Sequence, residues 1–448
     1  MSHVFHRMPP TPLPVAAHGD GLYIVDSTGK RYLDASGGPA VSCLGHSHPR
    51  VIEAIQHQAA TLPFAYSAFF SSEPMEALAD MLMIDAPPGI DRAFFVGSGS
   101  EAIEAALKLA RQYFLEIGQP TRRRFIARRQ SYHGNTLGAL AIGGNEFRRK
   151  PYEPMLVAHR HIAPCYAYRE RRDDETEEAY GLRIANELEA VILDLGPETV
   201  AAFLAEPVAG ATLGAAEPVP GYLQRIREIC DRYGVLLVFD EVLCGMGRTG
   251  SMYACNEEGV APDLLTVAKG LGAGYVPIGG VLASRRVYDA VADGSGMLRH
   301  GHTYMGHTMA CAAALAVQRV IREEALLENV QRQGRRLRAA LEERLGNHRY
   351  VGDIRGRGLL LGVELVSDRA SKAPFDPQYR LHHRILEQGM QQGFISYPSG
   401  GCVDGQRGDH VLLAPPFIVG EAQIDEIAER VGAAIDGAIA GLPTDALR

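Results

Sequence analysis

The stretch LLTVAKGLGAGYVP, residues 264–277, carries one lysine, Lys269, in an apolar and glycine-rich run. Two readings fit it. Lys269 either snorkels its ammonium into water from a strand end, or sits among small residues where burial lowers its pKa and makes it a nucleophile toward carbonyls. Working outward, strand and helix alternate on both sides. Upstream lie the helical periods PRVIEAIQHQAATL (49–62) and PMEALADMLMIDAP (74–87), the strand DRAFFVG (91–97), a long amphipathic helix from Ser100 to about Ile117, and the strand RRFIARR (123–129). The strand VAAFLAEP (200–207), the helix GYLQRIREICDRYG (221–234) and the strands VLLVFDEV (235–242), DLLTVAKG (263–270) and IGGVLAS (278–284) follow. Near-continuous apolar strands separated by helices predict an α/β fold with a mostly parallel sheet covered on both faces.

A chain of 448 residues exceeds what one core holds, since single cores stop growing near about 250–300 residues. The pattern predicts an N-terminal arm over 1–50 whose short strands pack with the small domain, a large domain over 51–320 and a smaller α/β domain over 321–448. The arm holds two short strands around a turn in GLYIVDSTGKRYLD (21–34), and the segment RERRDDETEEAYG (169–181) reads as a solvated surface insertion. The composition, 46% hydrophobic and 22% charged, is that of an ordinary globular protein. A net charge of -8, with only local basic clusters at 122–124 and 169–172, speaks against a nucleic-acid partner. Seven scattered cysteines without a C-x-x-C pair suggest reduced thiols, and the sequence shows neither a signal-type apolar region nor a run long enough to span a membrane. The expected location is the cytoplasm.

The strand before Lys269 ends in Asp240 and Glu241. In a parallel sheet ligands sit outside the carboxyl ends of strands. Asp240 either caps a turn there or meets a cation, and a protonated pyridine nitrogen is such a cation. Pyridoxal phosphate (PLP) enzymes hold their cofactor aldehyde on a lysine and set an acid against the ring nitrogen, which gives Lys269 and Asp240 complementary tasks. The run FFVGSGSEAIEAALKLAR (94–111) passes from strand through Gly97, Ser98, Gly99 and Ser100 to a helix N-terminus, which suits a phosphate dianion. Tyr132, in SYHGNT (131–136), offers a flat face for a ring. Glu206 ends another apolar strand and joins the same polar layer or a structural ion pair. Two patterns are rejected. GMGRTG (245–250) matches a dinucleotide fingerprint literally but opens no credible helix, and the spacing of His300, His302 and His307 fits no metal site.

Taken as an ordered set, GSGSEA (97–102), YHGNT (132–136), AEPV (205–208), FDEV (239–242), CGMGRTG (244–250) and TVAKGLGAGYVPIG (266–279) resemble the class III aminotransferases, a branch of the fold type I PLP-dependent transferases. The resemblance runs from about Gly21 to the C-terminal helix. It implies that Lys269 is the Schiff-base lysine, Asp240 the acid at the pyridine nitrogen, Gly99 and Ser100 the phosphate loop, Tyr132 the stacking aromatic and Val242 the aliphatic residue beneath the ring. Thr303 matches a threonine that reaches the cofactor phosphate of a neighbouring subunit, which implies a homodimer with shared active sites; whether two dimers pair into a tetramer is left open. The implied activity is ping-pong transfer of an amino group through pyridoxamine phosphate (PMP). An aminomutase, a decarboxylating transaminase and, more remotely, a non-catalytic cofactor-binding protein are the alternatives.

Departures from the pattern narrow the substrate. Ala211 stands where ornithine and GABA transaminases have a glutamate, Leu243 where they have a glutamine, and Asn135 where they have an arginine. These changes resemble the ω-amino acid and amine:pyruvate transaminases, so the expected donor is an amine or ω-amino acid and the expected acceptor an oxo acid such as pyruvate. Ala40 stands where many amine transaminases have a tryptophan, implying a wider pocket. Arg407, on the Gly-rich loop GGCVDGQRGDH (400–410), is the candidate clamp for the acceptor carboxylate, with a plain surface arginine as the other reading.

Overall fold

A central seven-stranded sheet carries the site. In a computed structural model that describes residues 3–8, 11–443 and 446, its strands are β4 (Ile90–Val96), β5 (Arg124–Arg128), β6 (Arg160–Ile162), β7 (Val200–Ala205), β8 (Leu236–Asp240), β9 (Leu264–Val267) and β10 (Gly279–Ser284). Two further sheets draw on the N-terminal strands β1 (Ala16–Asp20), β2 (Tyr23–Asp26) and β3 (Arg31–Asp34), and on the C-terminal strands β11 (Val351–Arg357), β12 (Leu360–Leu365), β13 (Phe394–Ile395), β14 (Tyr397–Gly400) and β15 (Asp409–Leu413).

The central order is β4-β10-β9-β8-β7-β5-β6, parallel from β9 through to β6. β10 runs antiparallel to both its neighbours. The reason lies in the connection: residues 268–278 between β9 and β10 hold one short 3-10 turn, Lys269–Leu271, and no helix, and a parallel return needs a crossover of a dozen or more residues, usually a helix. β7, β8 and β9 are buried along their whole length, as strands covered on both faces must be. The helix Gly99–Glu116 lays Ala102, Ile103, Ala106 and Ala110 against β9 and β10.

The arm is not free-standing. β3 pairs in parallel with β13, so N-terminal and C-terminal strands share one sheet of order β1-β2-β3-β13. One apolar core runs from Leu22 to Leu442. Within it the GMGRTG loop places Arg248 in full burial, donating from Nη1 to the carbonyls of Leu359 (3.1 Å) and Pro415 (2.6 Å). That loop therefore ties chain segments together rather than cradling a dinucleotide.

The segment 169–181 departs from the expected solvated insertion. Its second half enters the helix Glu177–Leu195, capped by Thr176 and buried at Tyr180. Its first residue, Arg169, reaches the interior, where Nε stands 2.6 Å from Glu364 Oε1 on β12. Arg355 Nη1 meets the other carboxylate oxygen at 2.7 Å, and the Tyr166 hydroxyl donates to it as well. Burial works against ionisation of Glu364, but the two guanidiniums outweigh it and hold its carboxyl below the ordinary range. The same cluster steadies a loop of the central sheet: Arg355 Nη2 donates to Leu213 O (2.6 Å) and His410 Nε2 to Ala211 O (2.7 Å). Glu364→Gln leaves two buried guanidiniums short of a counter-charge and is expected to cost about 3 kcal/mol of stability. A thermal melt beside wild type checks this; an unchanged midpoint contradicts it.

Candidate active site

Three strands end at one place. Glu206 follows β7, Asp240 closes β8 and Lys269 follows β9, and all three line a cavity of about 1200 Å3 at the carboxyl edge of the sheet. The backbone of Lys269 is left-handed (φ 46°), an arrangement a lysine takes only when its surroundings impose it. The Gly272 and Ala273 amides donate to its carbonyl and hold the turn. Burial lowers the Lys269 ammonium to about 8, against the pull of Asp240 and Glu206. An amine in that range is available as nucleophile and base near neutral pH.

Asp240 is held from three sides. His133 Nδ1 stands 2.7 Å from Oδ2, while the Val242 amide (3.0 Å) and the Thr266 hydroxyl (3.3 Å) donate to Oδ1. A carboxylate only accepts, so the His133 ring donates from Nδ1. His133 Nε2 is buried without a partner among the described residues. Sequence reasoning passed over His133, although it adjoins Tyr132; one histidine after an aromatic residue carries no signal until the fold brings it to Asp240. Glu206 accepts from the amides of Tyr132 (3.2 Å) and Gly210 (2.6 Å), and burial raises its pKa against the opposing pull of His133 and Arg128.

Across the cavity the helix Gly99–Glu116 points its N-terminus inward. Ser98 Oγ accepts from the Glu101 amide (3.2 Å) and Ser98 O from the Ala102 amide. That leaves the first amides, those of Gly99 and Ser100, facing the cavity as a ready anion cradle. Gly99 is also a packing requirement, because a Cβ there would stand 2.8 Å from Val242 Cγ1. Ser100 Oγ accepts from the Asn135 amide (3.0 Å), which ties the cradle to the Tyr132 loop.

The family model for class III aminotransferases matches residues 6–435. The chain belongs to the class III aminotransferases. It is 44% identical to an uncharacterized aminotransferase of Schizosaccharomyces pombe over 443 residues, 99% of this chain and 96% of the relative. An uncharacterized aminotransferase of Bacillus subtilis is 38% identical over 92% of this chain and 93% of its own length. Among solved structures, the ω-transaminase of Pseudomonas jessenii in complex with PMP superposes with a TM-score of 0.91 at 34% identity, covering 98% of this chain and 96% of that one. Class III aminotransferases use PLP, and the amide cradle, the lysine of lowered pKa and the buried acid are the donor set that cofactor needs.

In this aminotransferase the cavity brings together Gly99, Ser100, Tyr132, Glu206, Asp240, Val242 and Lys269. It does not bring in three others. The Ala40 methyl packs in a small core with Val208, Cys244 and Leu412, while its neighbours Pro39 and Val41 line the cavity; the kinked Gly37–Ala40 segment turns residue 40 inward. Arg407 points to solvent with Nε 2.6 Å from Asp404 Oδ2, because Asp404 also collects the Gln406 and Arg407 amides and fixes the turn. Thr303 is exposed and outside the lining. Of the departures, Ala211 and Leu243 line the cavity with aliphatic surface, and Asn135 contributes only its amide to Ser100.

Proposed function

We propose that this aminotransferase moves an amino group from an amine or ω-amino acid to an oxo acid such as pyruvate, in ping-pong order. The observation that carries the donor assignment is the wall made by Ala211 and Leu243, which is aliphatic where a donor bearing a second amino group needs polar partners. When bound, PLP supplies an electron sink for the carbon that loses its proton.

The chain's own groups do the rest. Lys269 Nζ is the group that would hold the cofactor and, when free, would take and return the proton. Asp240 would face the positive ring nitrogen, and His133 fixes the carboxylate's orientation. Tyr132 and Val242 would bound the ring, and the Gly99 and Ser100 amides would take the phosphate. Glu206 positions Tyr132 through its amide. The seven cysteines are free and buried, which suits a reducing compartment such as the cytoplasm.

Exposed Phe69, Phe70 and Tyr304 support a homodimer in which Thr303 reaches the partner's site; sedimentation of the holoenzyme tests it. Gly99→Ala sets a methyl against Val242 and is expected to weaken PLP binding about tenfold, read by titrating the apoprotein with PLP. Equal affinity removes Gly99 from the cradle. The substrate reading is tested by following the visible cofactor band with a panel of amines and ω-amino acids. Bleaching by a donor and recovery with pyruvate, without release of carbon dioxide, is the expected result. Carbon dioxide release, or rearrangement with no acceptor, points to the decarboxylating or aminomutase chemistry instead.

A further inference from the structure

The acceptor and an ω-amino acid both carry a carboxylate, and a largely aliphatic cavity must neutralise it somewhere. With Arg407 engaged by Asp404 in solvent, the cations that remain along the lining include Arg148 and Lys150. Lys150 is exposed, whereas Arg148 is half-buried, with its guanidinium carbon 4.7 Å from the centroid of the Tyr132 ring. A guanidinium on an aromatic face is held in orientation and partly stripped of water, while the N–H groups along its edge stay open to a planar anion.

The segment that carries Arg148 is tied to the Tyr132 loop by hydrogen bonds. Asn145 Oδ1 accepts from the Arg148 amide (3.2 Å). The Gly144 amide donates to Ser131 O (3.1 Å), and the Gln130 amide donates to Gly144 O (3.0 Å). The segment that bears Arg148 is thus stitched to the residues just before Tyr132. No carboxylate among the described residues forms an ion pair with Arg148. The buried cavity acids are otherwise engaged, Asp240 by His133 and Glu206 by backbone amides. A guanidinium that is oriented, lines the cavity and lacks a counter-ion is a vacant receptor for a carboxylate.

Resting on the aminotransferase reading above, we propose that Arg148 binds the carboxylate of the oxo acid, and of an ω-amino acid donor, in place of Arg407. Donors with a carboxylate then bind through Arg148 and plain amines bind without it. This makes Arg148 a specificity-determining residue and the preferred donors carboxylate-bearing.

The test uses holoenzyme of wild type, Arg148→Gln and Arg148→Lys, titrated calorimetrically with pentanoate and with pentanamide, which has the same chain without the charge. Wild type is expected to bind pentanoate, Arg148→Gln about tenfold to a hundredfold more weakly, and Arg148→Lys in between; pentanamide binds all three alike. In the donor half-reaction alone, followed by bleaching of the cofactor band without acceptor, Arg148→Gln weakens the response to 4-aminobutyrate far more than that to butylamine, and in turnover it raises KM for pyruvate. The proposal is overturned if wild type does not bind pentanoate, if Arg148→Gln binds it equally, or if Arg148→Gln loses PLP on dialysis, which would make Arg148 a cofactor ligand. Because pentanoate carries no amino group, its binding is read even if every donor fails, a result that would sink the function reading and not this one.

Discussion

Lys269→Ala is expected to lower transamination by about four orders of magnitude or more, since under the proposed function it removes both the amine that holds the cofactor and the base that moves the proton, each of large effect. The two losses separate experimentally. The variant still takes up PLP through the Gly99–Ser100 cradle and Asp240, but a borohydride reduction that couples the cofactor to wild type leaves Lys269→Ala unlabelled. A small external amine, supplied at high concentration, restores part of the proton transfer and none of the labelling. Retention of near-normal turnover would return Lys269 to the plain reading of a lysine at a strand end.

The same residue makes a pH prediction whose sign follows from burial. The ammonium of Lys269 is brought down to about 8, so its neutral form grows as pH rises and is complete only above that value. Uptake of PLP by the apoprotein should therefore quicken about tenfold per pH unit below 8 and flatten above it. A profile that climbs on toward the ordinary lysine range would show that the cavity does not desolvate the amine.

Much of this site was legible because it sits at strand ends. Lys269, Asp240 and Glu206 each close or follow an apolar strand, and a parallel sheet sends such ends to one edge, so linear text translated into a cavity lining. The Gly-Ser loop was legible for a similar reason, as a strand giving way to a helix. What stayed hidden depended on side-chain direction or long-range partners. Ala40 and Arg407 were placed by position in the chain, yet a kink turns the first into a core and Asp404 draws the second into solvent. The helix Glu177–Leu195 was obscured by its charged approach, and Arg169 read as surface because its counter-ion Glu364 lies far along the sequence, on β12. β6 and β11 went unread for want of apolar runs, one being three residues long and the other interrupted by charged residues.

Asp240→Asn carries the second large effect, a loss of about a thousandfold in turnover. The amide keeps the shape of the carboxylate and can still accept at one oxygen from Val242 and Thr266. It cannot stand as a negative charge before a protonated ring nitrogen, and its amine end, turned toward His133 Nδ1, confronts a donor with a donor. Electron withdrawal at the reacting carbon weakens, while contacts to the phosphate and to Lys269 are untouched. The visible band should therefore persist and PLP should stay bound, with kcat falling far more than KM rises. His133→Gln separates charge from orientation, since Asp240 keeps its charge but loses the ring that aims it; a loss of about tenfold is expected. If Asp240→Asn turned over like wild type, the ring nitrogen would need no charge partner, and the buried pair at the end of β8 would be structural.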